Sequence, residues 1–250
     1  MKLVAISKYN SGGSITYMFY DDNKAIVFDP SHPRVVEKAL KIDLQKDHYS
    51  PNEIMDAPET HRRTLLMAFS TDNHPGHSTG LNIHRDSLGA RIINGFDEPV
   101  CHDGDKFFVD EMEIEAIYSE GHTDVSFSFL CKSDKNYLIA GDTLLFLGCG
   151  QFYSNDSDEY KRTLDKIDSR VPDDTIILYG HDIKDKAIKF AEKFLTIPDE
   201  IKNKKYLTLA ENKQYNPVFH IDRLEKTNVV QDMEDLIDLE EDVFKEYDED

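Results

Sequence analysis

The pattern of hydrophobic positions along the chain is one of short apolar segments separated by polar turns. Each segment either alternates with polar residues or is apolar throughout, as β-strands do. Asparagine, glycine and aspartate occupy the turns at residues 10–13 and 21–23. The pattern therefore predicts strands at residues 2–6, 16–20, 25–28, 65–69, 91–94, 106–109, 112–118, 126–131, 136–140 and 175–179.

Helical periodicity occurs between these strands. Residues 33–40 begin with a proline, which is favoured in the first turn of a helix, and place Val36, Ala39 and Leu40 on one face. Residues 78–88, 157–169 and 184–194 are also predicted to be helical. The order of strands, helices, strands and helices predicts an α/β fold in which two sheets pack face to face with helices outside, a four-layer αβ/βα sandwich.

Residues 42–61 interrupt this order. They are polar, contain Pro51 and Pro58 and show no sustained period, so they indicate a surface excursion. No other metal-binding residue type lies near His48 or His61 with suitable spacing, and both are predicted to be solvated. His84, within residues 78–88, is predicted to lie at the surface or at an interface.

Composition and charge narrow the class of protein. The chain has 250 residues, of which 39% are hydrophobic and 31% charged, as in soluble globular proteins. Its formal net charge of −20 disfavours nucleic acid and anionic membrane surfaces as partners. The N-terminal apolar stretch is too short for a signal peptide, and no apolar run approaches the roughly 20 residues that span a membrane. Three widely spaced cysteines argue against a disulfide framework and favour the reducing cytoplasm.

The C-terminal end carries a disproportionate share of this charge. Residues 231–250 contain eleven acidic side chains and one basic side chain, Lys245, and so account for half of the net charge. Apolar residues in this tail recur near helical spacing. Two interpretations stay open, a docked amphipathic helix with its acids facing water or a solubilising tail without fixed structure. The tail is also a candidate to bind a protein partner.

The residues that carry chemistry begin where an apolar strand ends. Residues 65–69 are followed directly by the polar segment STDNHPGHSTG, residues 70–80. It contains Asp72, His74 and His77, which are all of residue types that bind metal ions. Loops at strand ends are where α/β proteins place their catalytic residues. Two histidines three residues apart can equally cap the following helix, so this segment alone does not identify a metal site.

Three later strands end in the same way, with an apolar run, a glycine and one residue of a metal-binding type. These residues are His122, Asp142 and His181, which follow Gly121, Gly141 and Gly180. Glycine allows the backbone to approach a site closely. Taken singly, Asp142 could cap a helix and the histidines could be satisfied core residues. Together with residues 72–77 they predict a binuclear metal centre.

Several segments, in this order, resemble motifs of the metallo-β-lactamase superfamily, and more closely those of glyoxalase II, the hydroxyacylglutathione hydrolases. They are TDNHPGH at residues 71–77, GHT at 121–123, GDTL at 141–144 and GHD at 180–182. GCGQFY at residues 148–153, LAE at 209–211 and YNP at 215–217 resemble glyoxalase II in particular. The resemblance covers residues 1 to about 223. It implies a metallo-β-lactamase sandwich over residues 1–182 and a smaller C-terminal helical region, residues 183–250, that binds substrate and ends in the acidic tail.

The resemblance also implies how the metal ligands divide. The first site would consist of Asp72, His74, His122 and a bridging Asp142, and the second of His77, His181 and Asp142. The chain departs from the family where Asp72 replaces a histidine and Gly76 replaces an aspartate. The implied cofactor is zinc, as two ions. The departures predict that the second site binds its ion more weakly or stands empty. They also predict that the first site favours iron or manganese more than the family's site does.

The activity implied by the resemblance is hydrolysis of a small-molecule thioester, S-2-hydroxyacylglutathione, to a 2-hydroxy acid and a thiol. A metal-bound hydroxide oriented by Asp142 would attack the carbonyl. The family's thiol-binding positions correspond to Gln151, Tyr153 and Ile183, of which only Tyr153 keeps the family's residue type. We therefore expect weak glutathione binding or a different thiol. The alternatives are a catalytically impaired metal-binding relative and a mononuclear iron persulfide oxygenase of the same superfamily.

Overall fold

The first of two sheets contains six strands and lies in the N-terminal half of the chain. The computed structural model describes residues 1–7, 13–151 and 157–220. The strands are β1 Lys2–Ile6, β2 Thr16–Tyr20, β3 Lys24–Phe28, β4 His48–Tyr49, β5 Thr64–Phe69 and β6 Arg91–Ile93, in the spatial order β4-β1-β2-β3-β5-β6. β3, β5 and β6 run parallel to one another. Their carboxyl ends therefore meet at one edge.

The second sheet contains five strands in the order β11-β10-β9-β8-β7. They are β7 Lys106–Val109, β8 Met112–Tyr118, β9 Phe127–Lys132, β10 Tyr137–Gly141 and β11 Ile176–Tyr179. β9 is antiparallel to both β8 and β10, and β10 is parallel to β11. β8, β10 and β11 consequently point the same way, and their carboxyl ends also share an edge.

The helices cover the outer faces of the sheets. They are α1 Pro33–Ala39, α2 Pro51–Asp56, α3 Pro75–Ser78, α4 Leu81–Leu88, α5 Ser157–Arg170, α6 Lys184–Ala191, α7 Asp199–Lys202 and α8 Leu209–Tyr215, followed by a 3-10 helix at Pro217–His220. The single helix predicted for residues 78–88 is wrong in one respect, because the chain turns at Gly80 between α3 and α4. A side chain at Gly80 would overlap the carbonyl oxygen of Pro30. No helix in the described ranges combines the length and apolarity needed to cross a bilayer.

Three hydrophobic cores separate the four layers. Alternate residues of β2 face different cores, with Tyr17 and Phe19 between the sheets and Met18 against the helices of the first sheet. Between the sheets, the rings of Phe28 and Phe69 stack with their centroids 4.5 Å apart. A third core joins the second sheet to residues of α5, α6, α7 and α8. The predicted α/β class and four-layer sandwich are confirmed.

Two of the predictions for histidines outside the metal motifs are wrong. His48 is only 7% exposed, because residues 48–49 pair with β1 at the edge of the first sheet, and its Nε2 lies 2.9 Å from the hydroxyl of Ser7. His84 is fully buried on the inner face of α4. His61 keeps 31% of its side chain exposed. Residue type alone does not distinguish a histidine on the outer face of an element from one on its inner face.

The buried His84 should make the protein sensitive to acid. Neither ring nitrogen has a hydrogen-bond partner in the described part of the chain, and burial lowers its pKa to about 4. An unfolded histidine titrates near pH ~6.5, so between these values the unfolded state binds a proton that the folded state does not, and stability falls as the pH falls. At pH 4.5 the loss should be roughly 2–3 kcal/mol.

Urea unfolding of the wild type and His84→Leu at pH 7.5 and pH 4.5 measures this loss. The variant should lose less stability than the wild type over that interval. His102→Gln, which changes a histidine with 75% of its side chain exposed, should behave like the wild type. Equal losses in His84→Leu and wild type would show that His84 does not titrate as described.

Candidate metal centre

The candidate site lies where the carboxyl ends of strands from both sheets meet. β5 leads into residues 70–77, where Asp72 and His74 lie in the loop and His77 lies in the short helix α3. From the second sheet, β8 leads to His122, β10 to Asp142 and β11 to His181. Because β5 belongs to the other sheet, the six side chains approach one another from two sides of the sandwich.

These side chains form two groups that could each hold a metal ion. The first group is Asp72, His74 and His122, and the second is His77, Asp142 and His181. Within each group the potential ligand atoms all lie within 4.8 Å of one another. The first group contains three of the four residues implied for the first site, without Asp142, and the second group contains the three implied for the second site. That each residue binds an ion stays a prediction.

Asp142 lies between the two groups. Its Oδ2 is 3.5 Å from Nε2 of His122 in the first group, and 3.6 Å and 3.4 Å from Nε2 of His77 and His181 in the second. Donor atoms bound to one zinc ion at about 2.0–2.1 Å are themselves separated by roughly 3.3 Å in a tetrahedral site. The observed spacings therefore fit a carboxylate shared by two ions.

The hydrogen bonding of the site also fits a bound cation. Both carboxylate oxygens of Asp142 and Nε2 of His77 are buried and lack hydrogen-bond partners among the described residues. Buried polar atoms normally find a partner, since leaving one unsatisfied costs about 1–3 kcal/mol. A divalent cation would satisfy these atoms together, so the donor set fits a metal.

The buried carboxylates and histidines of the site each stabilise the charged form of the other. Burial acts to lower the pKa of His77, but the carboxylates of Asp72, Asp29 and Asp142 raise it well above its ordinary value. Burial likewise acts to raise the pKa of Asp142, but His181 and His77 hold it well below its ordinary value. Asp142 is therefore ionised, as a metal-bridging carboxylate must be.

Two named proteins are similar in sequence to this chain over most of its length. A probable hydroxyacylglutathione hydrolase of Encephalitozoon cuniculi is 40% identical over 216 residues, which cover 85% of this chain and 86% of the relative. The chain belongs to the hydroxyacylglutathione hydrolase family. A second probable hydroxyacylglutathione hydrolase, from Schizosaccharomyces pombe, is 29% identical over 223 residues, with 83% of this chain and 82% of the relative covered. The predicted family and the predicted enzyme class, a hydrolase, are confirmed.

Solved structures agree on the fold. ETHE1 from Myxococcus xanthus matches with a TM-score of 0.64 at 21% identity, covering 94% of this chain and 91% of that one. A metallo-β-lactamase from Staphylococcus aureus matches with a TM-score of 0.60 at 17% identity, covering 95% and 66%. These likenesses identify the metallo-β-lactamase sandwich. No family model matches the chain.

In this hydroxyacylglutathione hydrolase family member, glycines allow the site to close around Asp142. A Cβ atom at Gly180 would overlap Oδ1 of Asp142 and lie 2.9 Å from Cε1 of His77. A Cβ atom at Gly150 would lie 2.8 Å from Nδ1 of His122 and 2.8 Å from Cβ of Asp142. The close backbone approach expected of the glycine before His181 is thus observed.

Asp29, at the end of β3, is a site residue that the sequence analysis missed. It is fully buried, and its Oδ2 lies 3.1 Å from Nδ1 of His77. Its oxygens also accept hydrogen bonds from the backbone N–H (2.8 Å) and the hydroxyl (3.0 Å) of Thr71. Its backbone has a φ of 50°, a left-handed conformation that aspartate tolerates better than most residues. Asp29 follows an apolar strand as Asp142 does, and this was the available signal.

Replacing Asp29 with asparagine should weaken metal binding at the second group by about 10–100-fold, because carboxylates behind a ligating histidine fix its orientation and basicity. Competition of the loaded protein against a chromophoric zinc chelator measures the affinity of each ion. Asp47→Asn removes an exposed carboxylate, with 82% of its side chain accessible, and is the matched control. Unchanged affinity in Asp29→Asn would mean that the contact with His77 does not support an ion.

Two of the three positions predicted to bind the thiol lie in the described part of the chain, and their surroundings differ. Gln151 is partly exposed, and its backbone carbonyl oxygen lies 2.8 Å from Nδ1 of His122, so its main chain orients that ring towards the centre. Ile183 is 8% exposed and belongs to the core beneath the second sheet, so it offers little surface to a substrate. Tyr153 lies outside the described residues.

Proposed function

We propose that the protein hydrolyses a thioester of the glutathione type in a metal-dependent reaction. The observation that carries this proposal is the position of Asp142, whose Oδ2 lies 3.4–3.6 Å from histidines of both candidate groups. Two metal-binding groups that share a carboxylate fit a dinuclear hydrolase. The named relatives supply the substrate class, since their names describe hydrolysis of a hydroxyacyl thioester of glutathione.

In this proposal Asp72, His74, His122 and Asp142 hold one ion, and His77, His181 and Asp142 hold the other. A bound divalent ion lowers the pKa of its coordinated water towards neutrality and polarises a carbonyl group. The side chain of Asp142 orients the attacking water. Asp29 and the carbonyl oxygen of Gln151 fix the rings of His77 and His122, so that the ligands do not reorganise during the reaction.

The reaction needs no nucleophile from the protein. Water attacks the thioester carbonyl carbon, the C–S bond breaks and the sulfur leaves with the electron pair, while the proton released by the water passes to the departing thiolate or to solvent. Cys149 is fully buried and burial raises the pKa of its thiol well above its ordinary value, so it does not supply a thiolate. A thiolate is a good leaving group, and proton donation to it is not required.

The proposal also concerns how the thiol part of the substrate is bound. Gln151 and Ile183 stand where the family binds glutathione, and neither provides positive charge or a phenol. We therefore propose that glutathione binds weakly, with its carboxylates contributing little.

We also propose that the metals are bound by residues 1–182, that residues 183–250 form a substrate-binding region, and that the protein works in the reducing cytoplasm. The acidic tail lies outside the described residues, and its binding to a partner stays a prediction.

Turnover of S-lactoylglutathione by the metal-loaded protein tests the reaction, with metal analysis of the same sample. Two equivalents of divalent metal and turnover are expected. A lactoyl thioester of N-acetylcysteamine lacks the carboxylates of glutathione. Because those carboxylates are proposed to contribute little to binding, this thioester should be cleaved with a kcat/KM within about tenfold of that for S-lactoylglutathione. One equivalent of iron without thioester cleavage would support the mononuclear oxygenase instead. Two equivalents of bound metal without turnover of either thioester would support the catalytically impaired metal-binding relative.

A further inference from the structure

Asp72 contacts both candidate groups, although its sequence position assigns it to the first. Its Oδ2 lies 3.7 Å from Nε2 of His122 in the first group and 4.0 Å from Nε2 of His77 in the second. Asp142 makes the corresponding two contacts at 3.5 Å and 3.6 Å. The two carboxylates therefore face the same two histidines. Of these, His77 follows a strand of the first sheet and His122 follows a strand of the second.

The backbone fixes Asp72 in this orientation. Its side chain is 1% exposed, and its other oxygen, Oδ1, accepts a hydrogen bond from the backbone N–H of His74 at 2.9 Å. This contact between an aspartate and the amide two residues later closes a tight turn that orients the carboxylate. Oδ2 is thereby directed at the histidines and cannot rotate away without breaking the turn.

We propose that Asp72 is a second bridging carboxylate, shared by both ions as Asp142 is. This inference rests on the metal centre of the proposed function. Each ion then receives two imidazole nitrogens and two shared carboxylate oxygens, with His74 and His122 on one ion and His77 and His181 on the other. An oxygen of Asp72 would then replace, on the second ion, the ligand that is missing because residue 76 is a glycine.

Shared ligands make the two ions depend on each other. With two of four protein donors in common, binding of the first ion arranges half of the ligands for the second. The carboxylate oxygens also make the set harder than one dominated by imidazole, which suits manganese or iron. Four protein donors fill a tetrahedral shell, so an ion that accepts five or six ligands keeps a place for water.

The test uses manganese(II) as the probe and the full-length chain, stripped with a chelator and reloaded. Wild type should take up two equivalents in one step, and its electron paramagnetic resonance spectrum should show exchange-coupled pairs already at one equivalent. Asp72→His, which restores the family's residue and gives a ligand that cannot bridge in this way, should bind in two separate steps. The affinity for its second ion should fall by about tenfold or more, and one equivalent should give the spectrum of isolated ions.

Two further variants keep the test decisive. Asp72→Asn preserves the shape of the side chain but removes its charge. It should show the same loss of affinity for the second ion, and it replaces Asp72→His in the test should that variant fail to fold. Asp124→Asn, which changes an exposed carboxylate close to His122 in the chain, should titrate like the wild type. Wild-type affinity for the second ion in both Asp72 variants, or uptake of a single ion by the wild type, would overturn the inference.

The outcome is separate from that of the thioester assay. Paired manganese in the wild type without turnover of S-lactoylglutathione would leave the shared carboxylate in place and remove the proposed substrate. Turnover together with one-step binding at wild-type affinity in both Asp72 variants would do the reverse.

Discussion

The Asp142→Asn variant is expected to lose thioester hydrolysis by about a thousandfold in kcat/KM and to retain at most one of two ions. Asparagine has the same shape but no negative charge, and it cannot neutralise two cations at once. Metal-assisted activation contributes several kcal/mol to such a reaction, and about 1.36 kcal/mol corresponds to each factor of ten. Steady-state assays with S-lactoylglutathione and metal analysis of the same preparation give both numbers.

The matched control is Asp124→Asn, which makes the same chemical change at an exposed position. It should keep wild-type activity and metal content. If Asp142→Asn keeps two ions and a tenth or more of the wild-type activity, the carboxylate that lies between the two groups does not have the role proposed for it.

The second large effect is expected from a single methyl group at Gly180. Gly180→Ala places a Cβ atom against Oδ1 of Asp142 and 2.9 Å from Cε1 of His77, so both side chains must move. Overpacking of this kind costs about 1–3 kcal/mol of stability, and displaced ligands weaken metal binding and activity by about 100-fold. Urea unfolding, chelator competition and the thioester assay measure the three effects separately.

Gly89→Ala provides the comparison for Gly180→Ala. Gly89 ends α4 with a φ of 67°, and a Cβ atom there would meet nothing within 4 Å. Alanine at this position should therefore cost about 1–2 kcal/mol of stability through backbone strain alone and leave metal affinity unchanged. Loss of metal binding in both variants would indicate that it follows from general destabilisation and not from contact with the site.

The fold was predictable because its pattern is local. In β2 and β3, alternate residues belong to different cores, so nearly every position is apolar, and a short apolar run bounded by turn residues indicates a buried strand. The residues at the strand ends were also predictable, since His122, Asp142 and His181 each follow a glycine after an apolar strand. Parallel strands place such ends together, so the sequence pattern carried spatial information.

The contacts that the sequence analysis missed depend on packing between distant segments. Asp29 supports His77 from 48 positions away in the chain, so its place in the site depends on packing between distant segments. His48 is buried because β4 adds to the edge of β1, a pairing with no local signal. The second contact of Asp72, with His77, arises from the turn that redirects Oδ2. These are tertiary effects, and a period along the chain does not encode them.

The candidate metal ligands come from both sheets, and each of the two groups contains residues that follow strands of both. Bound ions would thus hold the two sheets together at the edge of the sandwich. A ligand that binds only the folded state stabilises it by mass action, so the free energy of unfolding should increase as the free metal concentration rises above the dissociation constant. Stripping the ions should loosen the rim before the aromatic interior, and amide exchange at residues 70–77 should speed up while that of β2 and β9 stays slow.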